Sequence, residues 1–414
     1  MNKLKRIILL APVLLFVACD IKPITDEQES SNSGEASYSY ASDSFEFPDV
    51  DIAPKQIIFE NPLRFKINEN GETDYAPIAD PFVMHADDGY FYLVCSNTYV
   101  HSLTEGRKFD YGAIFRSPDL DNWVYVSSVF EDADNPFAWY ECADEGIRIQ
   151  VNAPNLTKVG KHYIYYYTLT AGQLHNPGIG YAYSLNPYGP WTQGGKLFTS
   201  NEIGVYNSSD QDIFIDDDGQ IYIIWGSGDG IWVCELAEDG MSLKGGLEYA
   251  KQNKKWIAGW ANELGNNMHN YEAANVIKRN NRYYLFLSTG GWDGGANAGY
   301  HTLVCASNSI YGPYFDSLNR DMKSAYQGDD VLLPDKDYVS GVGHSCVYRD
   351  DKGDDWIFYH GYDQIGRCEE NNKRILFVDK LIYNSETGMP YVLDYTPSYG
   401  EQFGPYVERC AYEN

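Results

Sequence analysis

A short polar turn followed by an apolar, aromatic run recurs five times along the chain. It reads DDGYFYLVCS from Asp87, VGKHYIYYYT from Val159, DDGQIYIIWGS from Asp217, RNNRYYLFLST from Arg279 and KGDDWIFYHGYD from Lys352. Gly, Asn or Asp supplies each turn, and the aromatic and β-branched residues predict a strand of period two after it. A second short strand precedes each turn: ADPFVMH from Ala79, NAPNLTKV from Asn152, DQDIFID from Asp210, YEAANVIK from Tyr271 and GHSCVYR from Gly343. Several units continue into a third strand and a common turn, as in IFRSPDLDNW from Ile114, YAYSLNPYGPW from Tyr181 and VCASNSIYGPY from Val304. The turns fall near residues 89, 160, 219, 281 and 354, at intervals of 71, 59, 62 and 73. Such spacing predicts an all-β, five-bladed β-propeller running from Ile57 to the end of the chain. A β-sandwich of aromatic hairpins is the alternative, but it offers no reason to repeat one hairpin five times. No long amphipathic pattern competes with the strands.

The propeller topology makes a chemical prediction. The first strand of each blade lines the central channel, so the starts of these strands meet at one mouth. Asp80, Asn152 to Asn155, Asp210, Glu272 and His344 occupy those starts, with the three acids at matching registers of blades 1, 3 and 4. Taken singly, each has a bland reading: Asp80 as a turn residue before Pro81, Asp210 as one of several surface acids, Glu272 as a solvated strand end, His344 as a hydrogen-bonded channel residue. Together they suit acetal hydrolysis, in which one carboxyl protonates the leaving oxygen and an ionised one takes a proton from water. A third carboxylate near the proton donor raises the donor's pKa. Blades on opposite sides of the ring set the two acting acids roughly 6.5–9.5 Å apart, wide enough for water and for inversion at the sugar carbon.

Composition narrows the partners. Across 414 residues, 15% are aromatic and 43% hydrophobic, which excludes disorder as the main state. With 31 basic against 59 acidic residues, the net charge is −28. That surface repels nucleic acid and other polyanions and suits a neutral ligand. No GxSxG, phosphate-binding loop, dinucleotide fingerprint or HExxH occurs. Lys3, Lys5 and Arg6, then the apolar run from Ile7 to Ala18, then Cys19 have the form of a secretory signal too short to span a bilayer. Phe16-Val17-Ala18-Cys19 resembles the lipobox of bacterial lipoproteins, which implies lipidation at Cys19. The expected organisation is a signal at 1–18, a Ser- and acid-rich tether at 19–50 and a monomeric propeller at 51–414. Cys95, Cys234, Cys305 and Cys346 sit in strand-like runs as buried hydrophobes, while a pair among Cys142, Cys368 and Cys410 is open to bridging.

From about Tyr75 to Tyr391 these segments resemble glycoside hydrolase family 43, five-bladed propeller enzymes that include arabinanases, arabinofuranosidases and xylosidases. IADPFVM resembles the first-blade motif and implies Asp80 as general base. SDQDIFIDDDGQIYIIWGS implies Asp210 as the acid that raises the pKa of the proton donor, and YEAANVIKRNNRYYLFLS implies Glu272 as that donor. GVGHSCVYRDDKGDDWIFYHGYD resembles the closing motif of the arabinanase-like branch, implying His344 in the channel with a metal ion, often calcium, held largely through water. RILFVDKLIYNSETGMPYV implies structural roles for Arg374 and Asp379. Gln211 and Ala274 stand where the family usually has Pro. Asn152-Ala153-Pro154-Asn155 stands for its usual Trp-Ala-Pro-Asp, placing two amides near the mouth, with a bearing on substrate choice. The implied function is an inverting, endo-acting hydrolase of α-1,5-arabinan in plant cell walls, anchored in the bacterial envelope on the periplasmic or cell-surface side. The alternatives are an exo-acting α-L-arabinofuranosidase or β-xylosidase, and a non-catalytic surface propeller that binds glycans. The Gly-rich stretch from Gly290 to Gly299 and the loop from Asn97 to Asp110 are expected as walls of the mouth.

Overall fold

The computed structural model describes residues 50–412, apart from 69, 103–105, 132, 141–148, 172–173, 229, 260–270, 325–327, 336 and 367–372. The signal, Cys19, nearly all of the tether, Cys142 and Cys368 therefore lie outside the described residues. Five four-stranded antiparallel sheets follow one another along the chain. Their innermost strands are Phe82–His85, Ile149–Val159, Asp212–Ile215, Glu272–Arg279 and Val339–Arg349. Each pairs with the aromatic run that the repeat marks: Phe91–Val94, His162–Ala171, Ile221–Trp225, Arg282–Thr289 and Asp355–Asp363. The fold is the five-bladed β-propeller.

The burial pattern departs from simple alternation. Every residue of Phe91–Val94 and Ile221–Trp225 is buried, and so are Tyr163 through Leu169 in the second strand of blade 2. Both faces of these strands are covered, because each blade packs against a neighbour on either side. Strands of that kind read as continuous apolar runs. Five hydrophobic clusters result, each formed largely between adjacent blades. The Tyr165, Tyr166 and Tyr167 side chains, all fully buried, show how much volume tyrosine supplies to them.

Two features add to the repeat. Asp51–Asn61 pairs with Gly400–Tyr412 as a separate ribbon, so the ends of the described chain clasp each other outside the blades. Gly89 lets this ribbon approach: its φ is +84°, and a Cβ there would stand 2.8 Å from the Ala411 nitrogen. In blade 1, where a loop is expected, Thr98–Ser102 pairs antiparallel with Gly106–Asp110.

Polar ties join the inner strands. Asp212 Oδ1 accepts from Asn155 Nδ2 of blade 2 and Asn275 Nδ2 of blade 4, each at 3.1 Å, and its Oδ2 accepts from the Val276 N–H at 2.8 Å. Asn275 Oδ1 in turn accepts from the Val347 N–H of blade 5 at 3.0 Å. Asn155 is thus a buried tie between blades. Asn152 is likewise engaged, donating to Thr170 Oγ1 on the paired strand at 2.9 Å. Gln211 Nε2 donates to the Ala153 carbonyl, and its Oε1 accepts from the Thr168 hydroxyl, each at 2.7 Å. Cys95, Cys234, Cys305, Cys346 and Cys410 are free and buried.

Candidate active site

Each blade enters the channel through one non-glycine residue in the left-handed region: Asp80 at φ 55°, Ala153 at 44°, Asp210 at 55°, Ala273 at 55° and His344 at 48°. This backbone conformation is costly for residues with a Cβ, and its fivefold recurrence holds the chain in one bent path at the mouth. The bend also exposes the N–H of the residue, which donates to a polar group. Ala153 donates to Ser96 Oγ at 2.9 Å, Asp210 to Thr168 Oγ1 at 3.3 Å, His344 to Ser288 Oγ at 2.8 Å and Asp80 to His360 Nδ1 at 3.0 Å. These acceptors close the apolar run of the second strand in blades 1, 2, 4 and 5. Blade 3 has Gly226 at the corresponding position, and there Asp210 Oδ2 takes over, accepting from the Ala273 N–H at 3.3 Å. In blade 4 the left-handed residue is Ala273, so Glu272 projects from one position earlier than Asp80 and Asp210 do in their blades.

Asp80 is held as an anion. Arg374 Nη1 donates to its Oδ1 at 3.2 Å, His344 Nδ1 lies 3.2 Å from the same oxygen, and the Ser96 hydroxyl donates to Oδ2. Burial by itself pushes the carboxyl up, but His344, Arg374 and the Ser96 bond overturn it, leaving the group well below the usual carboxylate range. His360 is fully buried, and burial followed by the Arg374 charge drives its pKa far below that of a free imidazole. A neutral ring at this place accepts the Asp80 N–H without bringing a second buried cation beside Arg374.

Asp210 is shifted the other way. Burial and the nearby charges of Glu272 and Asp80 raise its carboxyl well above the ordinary range, against the Ala273 N–H and Arg374. The Glu272 carboxyl thus acts on Asp210 through its charge. Glu272 Oε1 accepts from the Tyr300 hydroxyl at 2.7 Å and Oε2 from the Ser227 hydroxyl at 2.8 Å. Tyr300 stacks on His360 with ring centres 5.8 Å apart and planes 7° apart. Gly343 makes room for that ring, since a Cβ there would lie 2.5 Å from Tyr300 Cε1. A continuous chain of contacts therefore links the two acting carboxyls: Asp80, His360, Tyr300, Glu272.

All four residues singled out in the sequence meet here. Arg374, expected as structural, instead bonds Asp80, and its guanidinium lies over the Trp292 ring at 5.3 Å. Trp292 belongs to the Gly-rich stretch and is 46% exposed, which puts an open aromatic face at the mouth. Ser96 and His360 carried a signal, as the polar residue that ends each aromatic run. Tyr300 and Ser227 carried none.

The channel enclosed by Asp80, Ala153, Asp210, Ala273 and His344 has a volume of about 20 Å³, room for about one water. Its wall includes Ser345, whose buried hydroxyl lacks a hydrogen-bond partner. No group of three His, Cys, Asp or Glu side chains that could hold a metal occurs among the described residues. A calcium ion takes six to eight oxygens, so these residues do not build a calcium cage, and any cation beside His344 would depend on water for most of its ligands.

The sequence pattern of Glycosyl hydrolases family 43 matches residues 76–389. The chain belongs to this family. The family 43 chain is 26% identical over 296 residues to the β-D-galactofuranosidase xynD of Aspergillus niger, covering 69% of this chain and 75% of that protein. It is also 26% identical over 285 residues to the extracellular endo-α-(1→5)-L-arabinanase 1 of Bacillus subtilis, covering 68% and 80%. Among solved structures, an exo-1,5-α-L-arabinanase from a bovine ruminal metagenomic library matches with TM-score 0.60 and 26% identity, covering 76% of this chain and 96% of the other.

Proposed function

We propose that this family 43 glycoside hydrolase cleaves α-1,5-linked arabinofuranose polymer by inversion, in endo mode. Asp80 takes the proton from the attacking water, Glu272 gives a proton to the leaving oxygen, and Asp210 keeps that proton available near neutral pH. The observation that carries the reading is the opposed shift of two acids at one mouth: Asp80 held ionised by Arg374 and His344, and Asp210 raised by burial and by the charge of Glu272. Inverting hydrolysis needs both states at once. Two of the three relatives described above are named for arabinan, one endo and one exo, and the GVGHS closing segment favours the arabinanase branch. Trp292 offers the stacking face that a furanose ring needs.

The product profile on linear arabinan tests the reading. An open cleft produces a ladder of short oligosaccharides early, with viscosity falling before much reducing sugar appears. Monosaccharide as the sole early product moves the assignment to an exo enzyme, with the Thr98–Ser102 hairpin as the blocking wall. Activity on xylan oligosaccharides or galactofuranosides but not arabinan rejects the substrate. Glycan binding without hydrolysis of any polymer favours an inactive surface binder.

Two further readings rest on the sequence. A cation in the channel, held by His344 and water, would add positive charge beside Asp80; chelation followed by elemental analysis tests it. Lipidation at Cys19 places the enzyme in the bacterial envelope, and Cys19→Ser should release it in soluble form.

A further inference from the structure

A cleft of about 880 Å³ stands apart from the acids. It lies between the outer half of blade 5 and the terminal ribbon, with Trp356 and Phe59 in its lining and Tyr338 and Ile365 among its other walls. Its size is that of a ligand site. Four large apolar side chains line it while remaining open to solvent: Phe403 at 74% exposure, Leu393 at 65%, Ile365 at 53% and Tyr338 at 43%. Scattered singly, such residues need no explanation; gathered on one cleft, they mark a surface that binds something.

The cleft is built rather than slack. Tyr338 packs on Tyr399 with ring centres 4.6 Å apart. Asp394 and Tyr395 are consecutive left-handed residues at φ 57° and 60°, and the Tyr395 carbonyl accepts from the Leu333 N–H at 2.7 Å. One end is tied to the mouth: the Tyr338 carbonyl accepts from the Gln364 N–H at 2.8 Å, Gln364 Nε2 donates to Ser340 Oγ at 2.8 Å, and Ser340 Oγ donates to the Gly295 carbonyl at 2.7 Å in the stretch that carries Trp292.

Charge selects the occupant. Glu60, Asp335 and Asp394 line the cleft, and Lys380, its lysine, is paired with Asp354 at 2.5 Å. Anionic ligands are disfavoured here, as over the rest of a chain with net charge −28. Open aromatic rings beside carboxylates and amides suit a neutral, polyhydroxylated chain, whose apolar ring faces stack while its hydroxyls donate to the acids.

We propose that this cleft is a second, non-catalytic binding site for the neutral arabinofuranose polymer, holding one stretch of chain while another occupies the mouth. The proposal rests on the function proposed above, and the experiment separates the two. The double variant Phe403→Ala/Tyr338→Ala, in the full chain, is compared with the wild type on linear arabinan and on a short linear arabino-oligosaccharide. The expected result is a polymer KM and a retardation constant in arabinan gels both weakened by about five-fold, with kcat/KM on the oligosaccharide and Tm unchanged. If the double variant is poorly folded, Phe403→Ala alone gives the same reading, because that ring lies mostly in solvent. Equal polymer KM and retardation in variant and wild type overturn the proposal. So does a wild-type dimer that becomes monomeric in the variant, which would make the cleft a contact between copies. Should the wild type cleave neither substrate, the proposed function fails, yet gel retardation lost only in the variant still supports the second site.

Discussion

Arg374 Nη1 donates to Oδ1 of Asp80 at 3.2 Å, joining residues 294 positions apart. The bond brings the third strand of blade 5 to the entry of blade 1, and it supplies a permanent positive charge to a buried carboxylate. Arg374→Met should therefore raise the pKa of Asp80. A base must be ionised, so the acidic limb of kcat/KM moves to higher pH, with a loss of activity in acid that narrows toward neutral pH. A depressed carboxylate contributes stability above its unfolded value and loses it as pH falls through the folded value. The Tm difference between variant and wild type should accordingly shrink in acid. An unmoved acidic limb would remove Asp80 from the role of base.

Glu272→Gln keeps an acceptor for Tyr300 but cannot give up a proton. Turnover on arabinan should fall by about 10²–10⁴-fold, with Tm within a few degrees of the wild type. Tyr300→Phe removes only a donor to Oε1 and should cost about ten-fold. Near-normal turnover in the glutamine variant would mean that another group protonates the leaving oxygen.

On the proposed roles, Asp210→Asn removes an acid that supports the proton donor. The alkaline limb of the pH profile should then move to lower pH. The stability effect has the opposite sign to that at Asp80: a carboxyl raised in the folded state costs stability as pH rises from its unfolded value toward its folded one. The asparagine variant should match the wild type in acid and melt higher than it near pH 8. Lower melting at pH 8 would show that the aspartate is structural in its charged form.

Asp212 gathers three donors from blades 2 and 4 in the channel wall, and burial pushes its carboxyl up to about 6. Asp212→Ala leaves those buried donors unpaired and should destabilise the propeller by on the order of 3 kcal/mol. Urea denaturation reads this directly. A change under about 0.5 kcal/mol would show that the ties do not hold the blades.

Inversion has a direct signature. Proton NMR of fresh product should show the anomer opposite to that in the substrate. Retention of configuration, or a trapped glycosyl-enzyme, would assign Asp80 or its neighbours a nucleophilic role instead of water activation.

Blade count, the inner strands and the convergence of Asp80, Asp210, Glu272 and His344 were legible in the sequence, because a turn and its aromatic hairpin are local and repeat along the chain. The repeat also contained more than its strand pattern first conveys: Ser96, Thr168, Ser288 and His360 close their aromatic runs at one position, and that position feeds the mouth. Other features needed the folded chain. Period-two alternation disappears where both faces of a strand are covered, as at Ile221–Trp225, and coverage is a property of neighbouring blades. The one-residue offset of Glu272 against Ala273 is a matter of which φ turns positive, which residue identity does not dictate.

The kind of chemistry is written in the order of residues, since carboxylates recurring at the starts of repeated strands in a ring must meet. Tertiary structure decided how those acids are charged and what orders them. Arg374 reaches Asp80, Tyr300 enters beside Gly343 to bond Glu272, and Asn155 turns inward to Asp212 because of contacts between blades far apart along the chain. A pKa is set by burial and by charges within a few ångströms. Neither is a local property of sequence, so the acids could be found in the string of residues, whereas the opposite shifts of Asp80 and Asp210 could not.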